Sequence, residues 1–294
     1  MTKSIRPRRS VLYMPGSNAR ALEKAKTLAA DCLILDLEDA VAPDKKQEAR
    51  NQVAAAVSEG GFGHREVVVR INGFDTPWGE DDLAAIAPLA ADAVLVPKVS
   101  SADSVRDAAR RLSGAGAAPA TTLWVMMETP LAMFNALEIA ATAADANVPL
   151  ACFVMGTNDL AKDTGAALVP GRLPMLPWLQ TCLAAARVHG LTILDGVYND
   201  LNNAEGFEAE CRQGVDFGMD GKTLIHPRQV DPCNQAFSPA PDAVSWARKI
   251  ADVFDKPENA GKGAVQVDGR MVERLHAEMA KRTIAISEAI EGRL

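Results

Sequence analysis

The chain has 294 residues, with 31 lysines and arginines against 38 aspartates and glutamates and a formal net charge of −7. That balance excludes a general nucleic-acid binder, which needs a basic face, and no apolar run approaches the length of a membrane helix. With 48% hydrophobic and 23% charged residues, the composition is that of an ordinary soluble globular protein, long enough for one barrel-sized core and a small appendage.

In chain order, the N-terminal Met-Thr-Lys-Ser-Ile-Arg-Pro-Arg-Arg segment is basic but is not followed by the apolar stretch of a signal peptide. Short apolar runs then recur at Ser10–Tyr13, Cys32–Leu37, Glu66–Ile71, Ala93–Val96, Thr122–Met127, Cys152–Met155, Thr192–Leu194 and Val215–Met219. Most are continuously apolar, as parallel strands covered on both sides require. Between them lie amphipathic stretches at Asn18–Ala30, Lys45–Val57, Asp82–Ala90, Ser101–Leu112, Ala132–Ala141, Leu176–Val188 and Asn203–Gln213. Eight β–α alternations predict a (β/α)8 barrel over residues 1–235, an α/β fold of the TIM-barrel type, in preference to an open doubly wound sheet. The Pro-marked Ser238-Pro-Ala-Pro241 starts a different segment, residues 236–294, with helical stretches near Asp242–Phe254 and Met271–Ile290; it is expected to be a lid or an oligomerisation arm. The five cysteines are widely spaced, odd in number and without a C-x-x-C pair, which indicates neither zinc nor a disulfide framework and favours the cytoplasm.

Charges cluster at the C-terminal ends of the predicted strands, where a barrel builds its active site. Glu38 and Asp39 follow the second strand, Arg70 ends the third, Lys98 follows the fourth, Glu128 the fifth, Asp159 the sixth and Asp195 the seventh. Glu128 and Asp159 are hard oxygen ligands of the kind that suit Mg²⁺, although two helix-capping acids would look the same. Arg70 offers a planar fork for a substrate carboxylate, or an internal partner for Glu38 or Asp36. Lys98 fits a salt bridge at the rim better than a Schiff base. The first βα turn, with Arg20 and Lys24, suits either phosphates or solvent. His226 is the only histidine near a predicted strand end.

Taken in order, the motifs Arg9-Ser-Val-Leu-Tyr-Met-Pro-Gly16, Leu35-Asp-Leu-Glu-Asp-Ala-Val41, Val69-Arg-Ile-Asn-Gly73, Val96-Pro-Lys98, Glu128-Thr129, Gly156-Thr-Asn-Asp-Leu160 and Gly221-Lys-Thr-Leu-Ile-His-Pro-Arg-Gln229 make the chain resemble the citrate lyase β-subunit-like branch of the HpcH/HpaI aldolases, which includes malyl-CoA and citramalyl-CoA lyases. The resemblance implies a Mg²⁺-dependent lyase that cleaves a short 3-hydroxyacyl-CoA to an acyl-CoA and a 2-oxo acid. It places Glu128 and Asp159 as metal ligands, with Glu128 also at the substrate, and Arg70 on the 2-oxo acid. Glu38, Ile225 and His226 fall near the substrate, and Tyr13, Arg20 and Lys24 at CoA. It also implies a homo-oligomer, expected to be a trimer, in which a neighbour's lid brings the base. Here Glu273 stands where that family has an aspartate, and Asp268 is the other candidate. Alternatives are a malyl-CoA thioesterase, a citryl-carrier lyase subunit, or a non-catalytic binding protein on the same barrel. Pocket size near Asn72, Thr129 and Met155 is expected to separate glyoxylate from pyruvate.

Overall fold

Residues 5–292 are described in the computed structural model. They divide into two compact units, Arg8–Phe237, and residues 238–292 together with 5–7. In the first unit, β1 (Ser10–Pro15), β2 (Cys32–Asp36), β3 (Glu66–Arg70), β4 (Ala93–Val96), β5 (Thr122–Met127), β6 (Leu150–Met155), β7 (Thr192–Asp195) and β8 (Gly221–Leu224) pair in parallel in sequence order, and β8 closes on β1. Around them run α1 (Ala19–Ala25), α2 (Lys46–Glu59), α3 (Gly79–Ile86), α4 (Ala102–Gly114), α5 (Pro130–Phe134), α6 (Ala136–Ala141), α7 (Thr157–Thr164), α8 (Leu176–Val188), α9 (Ala204–Phe217) and α10 (Val230–Phe237).

The pleat of the strands fixes which residues form the site. Leu33, Leu35, Val67, Val69, Val125 and Phe153 point outward into the core shared with the helices. Their neighbours Ile34, Val68, Met126 and Val154 point inward and fill the barrel, with Trp124 and Tyr13. Successive side chains on a strand alternate faces. The next inward positions toward the C-terminal ends are therefore Asp36, Arg70, Glu128 and Gly156. The polar groups of the mouth are thus the last layer of a stack whose middle is apolar, with the Arg8–Glu66 pair at its other end.

Two expected elements are corrected. Val215–Met219 is not a strand: α9 runs to Phe217 and ends on Gly218, whose φ of 92° is the left-handed conformation that terminates helices. The eighth strand is the shorter Gly221–Leu224, whose apolar pattern is broken by the buried Lys222. The single helix expected over Ala132–Ala141 is two helices that meet at Asn135, whose side-chain amide donates to Ser100 O at 2.8 Å.

The second unit contains α11 (Pro241–Ile250), a hairpin of β9 (Ala264–Val267) and β10 (Arg270–Glu273), and α12 (Arg274–Glu291). Ala247, Ile250, Val253, Val272 and Ala280 form its own apolar cluster. The hairpin turns on Asp268-Gly269, with φ of 48° and 78°, the pairing that a two-residue turn of this twist favours. The helix expected from Met271 therefore starts three residues later, because Met271–Glu273 pair with β9.

Candidate active site

A cleft of about 280 Å³ opens at the C-terminal ends of the strands, and Tyr13, Asp39, Arg70, Met126, Glu128 and Asp159 are among the residues that line it. Glu128 directly follows β5 and is 1% exposed. Lys98, held at φ 53°, turns its backbone N–H onto Glu128 Oε1 at 2.8 Å. A β-carbon on Gly156 would lie 2.4 Å from Glu128 Cβ and 2.5 Å from its Oε2. Only glycine leaves room for that carboxylate. Burial, and then the negative charge of Asp159 in the first turn of α7, push the Glu128 carboxyl up to about 7; the Lys98 amide and Arg70 pull the other way. Two carboxylates therefore share one end of the cleft under mutual repulsion, the condition that a cation relieves.

Among the described residues no group of three or more His, Cys, Asp or Glu side chains is arranged to hold a metal ion. A pair of carboxylates is nevertheless the donor set typical of Mg²⁺, which keeps several of its waters.

Arg70, the last residue of β3, is held from beneath. Its Nε and Nη2 donate to Asp36 Oδ1 and Oδ2, both at 2.7 Å. Its Nη1 lies 2.8 Å from Glu38 Oε2 and 3.3 Å from Asp39 Oδ2. Burial opposes the charge of Asp36, but Arg70 and the backbone amides of Glu38 and Ala40 more than offset it and hold that carboxyl below its usual range. Glu38 responds in the opposite sense. Burial raises it, and despite Arg70 the neighbouring charges of Glu128, Asp39 and Asp36 help to bring it up to about 8. Glu38 stands behind Arg70 rather than among the residues that line the cleft.

Of the other residues singled out in the sequence, Ile225 lines the cleft. His226 does not; its Nδ1 accepts from Arg228 N at 3.1 Å and caps the turn that follows β8. Its pKa is lowered by partial burial, then by the charges of Arg228 and Lys24, so a basic group gathers beside this rim. Arg20 and Lys24 are exposed on α1. That helix has seven residues, and the Asn18 side chain already accepts from Ala21 N–H, so the backbone amides expected to hold phosphate are partly taken. Tyr13 is separated from this group and points inward, its ring 4.8 Å from the Arg70 guanidinium carbon.

Lys98 is exposed at the rim, and the carboxylates around it outweigh its partial burial and raise its pKa. That is the opposite of what a Schiff-base lysine needs. Asn72 is not a pocket wall: it donates to Leu37 O and Asp82 and accepts from Lys46, whose Nζ also binds Leu37 O and Glu38 O. This buried staple fixes the loop that carries Glu38. Thr129 caps α5, while Met155 lines the cleft.

Asp195 turns away from the mouth, into a buried network with Arg172 Nη1 at 2.6 Å and Lys222 Nζ at 3.1 Å. Nothing in a linear sequence marks Lys46, Lys222 and Arg172 as partners, because each meets its acid only after the barrel closes.

In the second unit, Asp268 is exposed and ion-paired with Lys249. Glu273 precedes α12, and its backbone N–H donates to His276 Nδ1 at 2.9 Å.

Residues 9–227 match the model of the HpcH/HpaI aldolase/citrate lyase family. The chain is 49% identical to a (3S)-malyl-CoA thioesterase of Cereibacter sphaeroides over 99% of its own length and 98% of that protein. It is 32% identical to the citrate lyase subunit beta of Escherichia coli, over 97% and 95% of the two chains. Among solved structures, the CitE protein of Mycobacterium tuberculosis in complex with magnesium, acetoacetate and coenzyme A superposes with a TM-score of 0.73 at 29% identity, covering 96% of this chain and 98% of that one.

Proposed function

The chain belongs to the HpcH/HpaI aldolase/citrate lyase family, and on that premise we propose that it is a Mg²⁺-dependent enzyme acting on a short 3-hydroxyacyl-CoA of the malyl-CoA type. The observation that carries this reading is the pair of facing carboxylates, Glu128 and Asp159, in one cleft with the buried cation Arg70. Glu128 and Asp159 would hold the ion. When bound, Mg²⁺ supplies Lewis-acid stabilisation of negative charge on the oxygens of the acid half.

The remaining work falls to the chain's own groups. Arg70, clamped by Asp36, orients the carboxylate of the acid half and so aligns the C2–C3 bond. Lys98 N–H and the space left by Gly156 hold Glu128 in place. Arg20, Lys24 and Arg228 form the basic rim that suits the phosphates of CoA. For cleavage, a base takes the proton of the 3-hydroxyl, the C2–C3 bond breaks, and its electron pair forms the thioester enolate, which leaves a 2-oxo acid. Glu273 and Asp268 are the proposed bases, carried by a lid of a neighbouring copy.

Self-association is supported by exposed apolar side chains, Leu131, Phe134 and Leu137 on α5 and α6 and Met271, Leu275 and Met279 along β10 and α12; a homotrimer is proposed. No helix among the described residues is long and apolar enough to cross a membrane. The five free, buried cysteines suit a reducing compartment such as the cytoplasm.

A second reading, hydrolysis of the same thioester, is favoured by the 49% identity to the malyl-CoA thioesterase. The two are separated by incubating the protein with malyl-CoA and Mg²⁺ and measuring glyoxylate and free thiol. Carbon–carbon cleavage releases glyoxylate and leaves the CoA acylated; hydrolysis releases thiol and no glyoxylate. Absence of thiol and of the 2-oxo acid, glyoxylate from malyl-CoA or pyruvate from citramalyl-CoA, would overturn the proposal.

A further inference from the structure

If the cleft binds the acid half of such a substrate, Arg70 meets its carboxylate with one edge of the guanidinium already engaged. A guanidinium binds a carboxylate best with two parallel N–H groups, and here Asp36 takes the pair on the inner edge. Nε and Nη2 both donate to Asp36 at 2.7 Å. The outer edge, with the second N–H of Nη2 and those of Nη1, remains, and Glu38 and Asp39 crowd its Nη1. A substrate carboxylate has to displace them there, and a further donor beside Arg70 would strengthen its hold.

The side-chain donors that line the cleft are few. Asn158 is engaged in a reciprocal amide pair with Asn199, at 3.3 and 2.7 Å. Thr223 donates to Asp195 O at 2.9 Å. Thr157 lies against Gly196, on the β7 side of the barrel and far round the closed sheet from β3. Tyr13 is different. Its ring sits under the Arg70 guanidinium, with 4.8 Å between the ring centroid and Cζ. Its hydroxyl has one hydrogen-bond partner among the described residues, Met126 Sδ at 3.5 Å, and a thioether is a weak acceptor. A phenol inside a polar cleft with only a sulfur to bond is a donor available to a ligand.

We propose that Tyr13 is a substrate-binding residue for the acid half, its hydroxyl donating to the carboxylate that Arg70 holds, rather than a contact for CoA. The cation–π stack on Arg70 fixes the ring, so the hydroxyl is set in advance. Tyr13 and Arg70 together then select a short acid that ends in a carboxylate. This assignment rests on the proposed function, and the test separates the two.

Tyr13→Phe keeps the ring under Arg70 and removes only the donor. A hydrogen bond to a charged group of this kind corresponds to roughly a 10- to 100-fold effect. With malyl-CoA and Mg²⁺ the variant is expected to lose that factor in kcat/KM. Competitive inhibition by glyoxylate and oxalate should weaken to the same degree. Inhibition by CoA alone, the affinity for 3-hydroxybutyryl-CoA, which lacks the carboxylate, and the Tm should stay unchanged. Unaltered glyoxylate inhibition in the variant, or a loss confined to CoA binding, would overturn the assignment while leaving the proposed function intact. A wild-type protein that neither turns over malyl-CoA nor binds a 2-oxo acid in the presence of Mg²⁺ would remove both.

Discussion

Glu128 and Gly156 show how far a single position decides the chemistry. The Glu128 carboxylate fits only because its neighbour across the β5–β6 pair has no side chain. Gly156→Ala, which adds one methyl group, should displace the carboxylate and weaken Mg²⁺ binding at least tenfold by calorimetry, with malyl-CoA turnover falling by about 10²-fold, as for a displacement near 1 Å. Tight Mg²⁺ binding by that variant would show that Glu128 is not a ligand. Glu128→Gln should abolish Mg²⁺-dependent turnover, and activity equal to wild type would sink the same assignment. Glu38 gives a pH prediction with a definite sign. Its carboxyl is raised from 4.5 to about 8 in the folded chain, so the folded state holds a proton there that the unfolded chain has already released. The stability this contributes is present below about pH 4.5 and is lost as pH rises through about 8, by up to about 1.4 kcal/mol per pH unit for one proton. Urea unfolding of wild type and Glu38→Gln across that window should show the slope flatten in the variant; parallel curves would mean that Glu38 is ionised throughout.

At the level of elements, the barrel was legible because seven of its strands are continuous apolar runs, and the charges that end them mark the mouth. The eighth was not. Gly221-Lys-Thr-Leu224 hides a strand behind a buried lysine, whose Nζ is satisfied by Asp195, by Glu210 at 2.6 Å and by Gly196 O at 2.6 Å. Asp195 looked like a further mouth charge for the same reason: from sequence alone, an acid after a strand does not reveal which face it takes. Its two cations reach it from β8 and from Arg172, which adopts φ 54° before α8. This network anchors β7, β8 and α9 around the turn that carries Val197 to the cleft. Removing one partner strands a buried charge, which typically costs about 3–5 kcal/mol. Lys222→Met should therefore lower stability by that amount in denaturant unfolding, and the double variant Lys222→Met/Asp195→Leu should recover much of it. A single variant as stable as wild type would show that water reaches the network.

For the whole molecule, the sequence does not carry which large apolar side chains stay at the surface. Phe134 and Leu137 belong to the stretch Ala132–Ala141, which the 3.6-residue period assigns to one amphipathic helix, and Leu131 stands just before it. The break at Asn135 resets that period, and Phe134 emerges 89% exposed, with Leu131 and Leu137 both at 55%. Full burial of a large apolar side chain from full exposure is worth roughly 1.5–3 kcal/mol; Phe134 would gain most of that and the half-exposed Leu131 and Leu137 about half each, a driving force for association. Tyr13, Arg70 and the carboxylates sit within one barrel, so acid binding does not require a second copy, whereas a base on a neighbour's lid does. Phe134→Asp should therefore convert the proposed oligomer to monomers in light scattering at micromolar concentration. Glyoxylate binding in the presence of Mg²⁺ should persist in the variant while turnover of malyl-CoA falls steeply. Wild-type protein that is already monomeric and fully active would show that the barrel, or the same chain's own second unit, supplies the base.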